Sequence, residues 1–168
     1  NQKEMRWESF LENIYQQWIS IIIKKKLNIK DCYATCLFSI IYKNMIYTAS
    51  LGDGMIFLMA KSERDSILII DEKEDNFSNV TNCLRSEFYF KDWKTSLYNK
   101  NKYKNILITT DGISSDLEEN NVREFCLDFI KELNSKSKKK GIKFCEDLLK
   151  NWPVKLHSDD QTLAFMRL

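Results

Sequence analysis

Apolar residues recur at intervals of three and four positions from residue 4 to about residue 23, among them Trp7, Leu11 and Ile14. Such intervals place these side chains on one stripe of an α-helix. Lys24 to Lys26 follow, where cations favour the negative pole of the helix dipole. The segment therefore predicts a long first helix whose apolar stripe faces the core.

Short runs rich in β-branched and aromatic residues come next, and they favour strands. The first three runs are separated by Lys43-Asn44 and Gly52-Asp53, which predicts an antiparallel meander. The last two runs predict a hairpin, and a short helix or turn is expected at residues 79–84. The predicted strands cover residues 33–42, 45–51, 54–60, 66–71, 93–98 and 105–109.

Helical spacing returns between residues 122 and 133, where Asn120 or Asn121 is placed to cap the helix, and again between residues 142 and 152 before Pro153. The Lys-rich segment 135–140 between them is interpreted as a solvated linker. Residues 162–168 are apolar enough for a last, buried strand. This order of elements predicts an α+β layered architecture in a single domain spanning residues 1–168.

Composition limits the classes of partner. The 168 residues carry 26 basic and 24 acidic side chains, so the net charge of +2 gives little attraction for nucleic acid, even with the lysines at 24–26 and those within residues 136–140. No apolar run approaches the roughly 18 residues that a membrane span needs. The five cysteines include no C-x-x-C pair and fit a reducing cytosol. We therefore expect a cytoplasmic protein that binds neither nucleic acid nor membrane.

Aspartates follow or precede three of the predicted strands, as Asp53, Asp111 and the pair Asp159-Asp160. A structural turn explains Asp53-Gly54 well, because this dipeptide suits sharp turns. Asp111-Gly112, by contrast, precedes a helix and closes no hairpin. The paired charges of Asp159-Asp160 repel each other unless a positive charge lies beside them.

Carboxylates that converge from strand ends suit a hard divalent cation such as Mg²⁺ or Mn²⁺. Two such ions hold a phosphoryl group between them and supply a hydroxide nucleophile at neutral pH. The strand-end aspartates therefore indicate phosphate chemistry.

Five segments carry a resemblance to a known family. In this order they resemble the later motifs of the metal-dependent type 2C protein serine/threonine phosphatases, particularly the compact bacterial branch. The match extends over residues 34–168. The segments are Ala34-Thr35-Cys36, Ala49-Ser50-Leu51-Gly52-Asp53-Gly54, Phe77 to Leu84, Ile108-Thr109-Thr110-Asp111-Gly112-Ile113 and Asp159-Asp160-Gln161-Thr162-Leu163.

The resemblance implies an α-β-β-α sandwich, in which two antiparallel sheets are flanked by helices and a dinuclear Mn²⁺ or Mg²⁺ site lies at one end. It implies that Asp111 and Asp159 are metal ligands, with Asp53 nearby as a support or as a ligand of a further ion. It also implies phosphorylated protein substrates and a cognate serine/threonine kinase. Family members carry an early strand pair with further ligands, which residues 1–30 do not match, so we expect an N-terminally incomplete fold.

Two hypotheses follow. The first is a phosphatase domain that hydrolyses phosphoserine or phosphothreonine, with the N-terminal strands missing from this chain or contributed separately. The second is a catalytically inactive module of the same fold that binds or regulates a partner.

Overall fold

The computed structural model describes residues 6–70, 81–118, 120–152 and 160–168. Its α-helices are α1 (Trp7–Lys25), α2 (Asp111–Ser114), α3 (Val122–Asn134) and α4 (Lys138–Lys150). Its strands are β1 (Cys36–Tyr42), β2 (Met45–Leu51), β3 (Met55–Ala60), β4 (Ile67–Ile70), β5 (Lys94–Asn99), β6 (Tyr103–Thr109) and β7 (Leu163–Arg167). None of these helices is both long and apolar enough to cross a lipid bilayer.

The strands form two antiparallel sheets. Sheet 1 has the strand order β1-β2-β5, and sheet 2 has the order β4-β3-β6-β7. Between the sheets lies an apolar core that includes Ile46 of β2, Ile56 of β3 and Ile106 of β6. The sheets are therefore the two inner layers of a sandwich.

Helices cover the two outer faces. The apolar stripe of α1 packs through Leu11 and Tyr15 against Ala49 and Trp93 on sheet 1. On the other side, α3 packs through Cys126 and Ile130 against sheet 2, with residues of α4 at the border of this cluster. The predicted layered α+β sandwich with two antiparallel sheets is confirmed.

The predicted strand pairing is partly wrong. β1 and β2 form the expected hairpin, but β3 pairs with β4 and β6 in the other sheet, so residues 33–60 are not a meander. Likewise, β5 pairs with β2 and β6 pairs with β3, so these two strands form no hairpin. The pattern of apolar residues identified the strands. It did not predict their pairing, because a short polar turn can connect strands of two different sheets as well as the two strands of a hairpin.

Three smaller predictions also need correction. The lysines at 138–140 form the first turn of α4 and are not a linker. β7 lies at the edge of sheet 2, and its residues are either exposed or half-buried, so it is not a buried strand. Residues 81–84 are not helical, and Leu84 forms a β-bridge with Ala34. Residues 79 and 80 lie outside the described ranges.

Candidate metal-binding site

The strand register of sheet 2 brings the aspartate-bearing segments to one end of the sandwich. Met55, at the start of β3, is opposite Thr109, at the end of β6, and Thr109 is opposite Leu163, at the start of β7. Asp53 comes before β3, Asp111 follows β6, and Asp160 comes before β7. In an antiparallel sheet the start of one strand lies beside the end of its neighbour. The three segments therefore meet at the same end of sheet 2.

The turn that carries Asp53 depends on two glycines. Gly52 and Gly54 have φ angles of +89° and +113°, which residues with a side chain rarely adopt. A Cβ atom at Gly52 would lie 2.3 Å from the carbonyl oxygen of Asn82, and one at Gly54 would lie 2.6 Å from that of Thr109. The turn therefore crosses between the sheets in close contact with neighbouring backbone, which fixes the position of Asp53.

Asp53 has a specific polar partner. The hydroxyl of Thr81 donates a hydrogen bond of 2.7 Å to Oδ2 of Asp53, in a half-buried position. A carboxylate oxygen held in this way keeps its orientation at little entropic cost, since the donor belongs to a segment already fixed by the Leu84–Ala34 bridge. Thr81 thus orients the Asp53 side chain.

Asp111 begins the short helix α2 directly after β6. Its Oδ1 accepts a hydrogen bond of 3.0 Å from the backbone N–H of Gly112. The side chain is half-buried and stands at the end of the apolar run Ile106 to Thr109. As predicted, no hairpin is closed here, although Asp111 itself is the first residue of the short helix α2, which comes before the predicted helix α3.

The Asp160 segment is fastened to the Asp111 segment by one threonine. The hydroxyl of Thr110 donates to the carbonyl oxygen of Asp160 at 3.1 Å and accepts from the backbone N–H of Thr162 at 3.0 Å. A Cβ atom at Gly112 would lie 2.7 Å from the same carbonyl oxygen. The backbone at residue 160 therefore lies directly beside Asp111.

A cleft of about 330 Å³ opens beside these residues, between the start of β1, the end of β6 and the start of β7. Thr109 and Thr110 line it, together with Cys36 of β1. The hydroxyl of Thr109 is buried and has no hydrogen-bond partner in the described part of the chain. A buried hydroxyl of this kind is costly unless water or a ligand reaches it.

Comparison with known proteins decides the family. The family model described as protein phosphatase 2C matches residues 1–152. This chain belongs to the protein phosphatase 2C family. The serine/threonine phosphatase Stp1 from Staphylococcus aureus is similar in fold, with a TM-score of 0.57 and 17% sequence identity over 99% of this chain and 70% of that chain. No curated protein sequence matches the chain.

Other solved structures are similar over a smaller part. A bacterial serine phosphatase bearing an arginine-to-alanine mutation gives a TM-score of 0.49 at 19% identity, over 78% of this chain and 50% of that one. Its counterpart with an arginine-to-glutamate mutation gives 0.49 at 18% identity, over 80% and 53%. This protein phosphatase 2C family chain thus spans about half the length of these two structures.

The oxygen atoms at the site suit a hard cation, but the residues that the structure describes do not supply a complete set of ligands. The carboxylates of Asp53 and Asp111 and the carbonyl oxygen of Asp160 are the oxygen donors that Mg²⁺ and Mn²⁺ prefer. Within residues 6–70, 81–118, 120–152 and 160–168, however, no three His, Cys, Asp or Glu side chains are grouped closely enough to hold an ion. The predicted ligand Asp159 lies outside these ranges.

Sequence analysis of this phosphatase-family chain missed two residues of the site. Thr81 orients Asp53, and Thr110 joins the Asp111 and Asp160 segments. Both threonines stand inside the segments that carry the family resemblance. Both threonines were therefore within the recognised segments. Their hydrogen-bond partners are distant in the sequence, however, so no local pattern indicated which residues they contact.

Proposed function

We propose that this chain is a single phosphoprotein phosphatase domain that hydrolyses phosphoserine or phosphothreonine with Mn²⁺ or Mg²⁺. Asp111 and Asp159 would hold the ions, and Asp53 would support them or hold a further ion. The observation that carries this proposal is the position of Asp111, a half-buried carboxylate at the end of β6 that touches the Asp160 segment through Gly112 and Thr110.

Each residue has a distinct part in this proposal. Asp111 offers the Oδ2 atom, for which the described residues provide no hydrogen bond, while its Oδ1 is held by Gly112. Asp53 offers Oδ1 because Thr81 occupies Oδ2. Thr110 holds the backbone of residue 160, which follows Asp159 in the sequence, beside Gly112. Bound divalent ions would neutralise phosphate charge and make water nucleophilic at neutral pH.

Hydrolysis of an aryl phosphate and of a phosphothreonine peptide, with and without Mn²⁺, tests this function. We expect Mn²⁺-dependent turnover that Asp111→Asn lowers at least about a hundredfold, because the substitution removes a charged ligand. Asp128→Asn, an equally conservative change on the exposed side of α3, is the matched control and should leave turnover unchanged. Absence of turnover, or turnover that Asp111→Asn leaves intact, would count against the proposal.

The second candidate is an inactive module of the same fold that binds or regulates a partner. It is favoured by the lack of a three-ligand group among the described side chains. Calorimetric titration with Mn²⁺ separates the two candidates. A phosphatase site binds the ion through Asp111, so Asp111→Asn abolishes the heat, whereas an inactive module gives no Asp111-dependent heat.

The proposed partners and location follow from the same function. Substrates would be phosphorylated proteins, and a serine/threonine kinase would produce them. All five cysteines are free thiols, one of them buried and four half-buried. Free thiols suit a reducing compartment, so we infer that the protein acts in the cytoplasm.

A further inference from the structure

The helix that begins with Asp111 is too short to hold its own position. α2 is a single turn of four residues, Asp111–Ser114. Such a turn is unstable in isolation, because several residues are fixed for very few hydrogen bonds. Its backbone bonds include those from Ile113 to the carbonyl of Thr110 at 3.1 Å and from Ser115 to that of Asp111 at 2.9 Å. The position of the Asp111 carboxylate therefore depends on what holds each end of this turn.

The start of α2 is held by the chain that leads into β7. The backbone N–H of Thr110 donates to the carbonyl of Thr162 at 3.1 Å, and the hydroxyl of Thr110 accepts from the N–H of Thr162 at 3.0 Å. A Cβ atom at Gly112 would lie 2.7 Å from the carbonyl oxygen of Asp160. These contacts fix the first half of the turn against a neighbouring backbone.

The chain just beyond α2 is held by a side chain from the end of α4. The indole N–H of Trp152 donates a hydrogen bond of 2.7 Å to Oδ2 of Asp116, and both side chains are half-buried. Hydrogen bonds to a carboxylate are stronger than those between neutral groups. As the residue number rises from 110 to 116, the described partners fall from 162 to 152. The chain that follows α4 therefore holds α2 on both sides.

The donor of this bond has a fixed direction. The Trp152 ring packs edge-on against Phe125 of α3, with the ring centroids 6.0 Å apart. Phe125 in turn stacks on Phe129 at 5.7 Å, and Phe129 is buried in the core beneath α3. Because the indole lies against this stack, its N–H fastens Asp116 to the core of the molecule.

We propose that Trp152 is a positioning residue of the metal centre. Through Asp116 its indole N–H holds the far end of α2, and this keeps the carboxylate of Asp111 in place for Mn²⁺ or Mg²⁺. The indole itself does not touch the ion. This role rests on the proposed function, since it assumes that Asp111 is a ligand.

Calorimetric titration with Mn²⁺ tests this role. Trp152→Phe keeps an aromatic ring on Phe125 and removes the donor, so the dissociation constant of Mn²⁺ should rise about fivefold to tenfold, the equivalent of one hydrogen bond. Asp116→Ala should raise it at least as much, and adding Trp152→Phe to that variant should raise it no further, because the bond is already lost. Trp18→Phe, a half-buried tryptophan of α1 on sheet 1, is the matched control and should leave the dissociation constant unchanged.

Asp116→Asn separates positioning from charge. The amide keeps an oxygen that accepts the indole N–H but removes the negative charge, so this variant should retain most of the Mn²⁺ affinity that Asp116→Ala loses. An Asn variant as weak as the Ala variant would mean that Asp116 acts through its charge, which would refute a positioning role for the indole.

Amide hydrogen exchange without any metal supplies a second readout. Trp152→Phe should speed exchange at Ser114 and Ser115, whose N–H groups close α2, more than at Ile130 in the centre of α3. A bond that only stabilises the end of α4 would leave the exchange of α2 unchanged relative to Ile130. That result would overturn the positioning role.

The two proposals fail in different ways. If the unaltered chain shows no Mn²⁺ binding that depends on Asp111, both the proposed function and the role of Trp152 are wrong. If the chain binds Mn²⁺ through Asp111 and Trp152→Phe leaves the dissociation constant unchanged, only the role of Trp152 is wrong.

Discussion

Helices α3 and α4 each contain 13 residues and cover the same face of sheet 2, yet they are buried to very different depths. α4 buries only Gly141. α3 buries Val122, Cys126, Phe129, Ile130 and Leu133. Both helices have an amphipathic sequence, so amphipathicity alone does not explain the difference.

The difference lies in the strand beneath each helix. α3 rests on Phe57 of β3 and Leu107 of β6, which are fully buried at the centre of the sheet. The cleft side of α4 faces Leu163 and Phe165 of the edge strand β7. A central strand has neighbours on both sides and offers a wide apolar floor, whereas an edge strand does not. Among the described residues, the centre of sheet 2 therefore gives α3 a broader apolar surface than β7 gives α4.

Truncation of one residue in each helix should show the largest contrast. Ile130→Ala in α3 removes a fully buried side chain and should lower the free energy of unfolding by about 3–4 kcal/mol. Leu149→Ala in α4 removes a half-buried side chain beside a cleft and should cost about 1 kcal/mol. Urea denaturation monitored by tryptophan fluorescence measures both, and equal losses would contradict the contrast.

The glycines of the site extend the contrast to the loops. Gly54→Ala should cost about 2–3 kcal/mol, because the φ of this residue is +113° and the new methyl group would press on the Thr109 carbonyl of a central strand. Gly112→Ala should cost less, about 1–2 kcal/mol, because its helical backbone accepts a side chain and only the contact with the Asp160 carbonyl opposes the new methyl group. The same denaturation experiment ranks them, and the reverse order would show that the Asp160 segment is the more rigid one.

The sequence predicted the centre of the molecule better than its edge. Periodicity located α1 and α3 because both have wide apolar faces, and apolar runs located β3 and β6 because these are buried on both faces. Pairing was predicted less well. The turn at Gly52-Asp53-Gly54 looks like a hairpin turn locally, but the partners of β3 lie in β4 and β6, which no short-range pattern specifies.

The candidate site shows the same limit. Asp53 and Asp111 were found because an aspartate beside a glycine at a strand end is a local signal. The hydrogen bond from Thr81 to Asp53 joins residues 28 positions apart, and the one from Thr110 to Asp160 joins residues 50 apart. Such contacts depend on the tertiary fold, so residue type and spacing could not predict them.

The pKa of one cysteine thiol in each helix gives a further comparison of α3 and α4, through the pH dependence of stability. Burial raises the pKa of the Cys126 thiol in α3 to about 12. The folded state thus keeps a proton that the unfolded state loses, so stability is full below the unfolded pKa and falls as the pH rises from about 9 towards 12. Between pH 8 and pH 10 we expect Cys126 to contribute a loss of about 1.5 kcal/mol.

Cys126→Ala should remove this pH-dependent loss, although it lowers stability by a constant amount at every pH. Burial and, to a lesser degree, Glu146 raise the pKa of Cys145 in α4, but this thiol is only half-buried. Cys145→Ala should therefore change the pH dependence much less. Urea denaturation at both pH values gives the comparison, and a larger effect at Cys145 would mean that α4 is the better packed helix.

The smallest expected effect concerns the anchor at the end of α4. The indole N–H of Trp152 donates a hydrogen bond of 2.7 Å to Oδ2 of Asp116, which lies just after α2, and its ring packs edge-on against Phe125 of α3. Trp152→Phe keeps an aromatic ring there and removes the donor, so it should cost about 1 kcal/mol. α4 would thus depend on the loop beyond Asp111 as well as on the sheet.

A double-mutant cycle with Asp116→Ala separates this bond from the other contacts of both side chains. We expect a coupling energy of about 1 kcal/mol, since the acceptor is a charged carboxylate but the bond is only half-buried. A coupling near zero would show that the bond does not hold α4 in place. In that case the edge-on contact between the Trp152 ring and Phe125 would be what holds the end of α4 against α3.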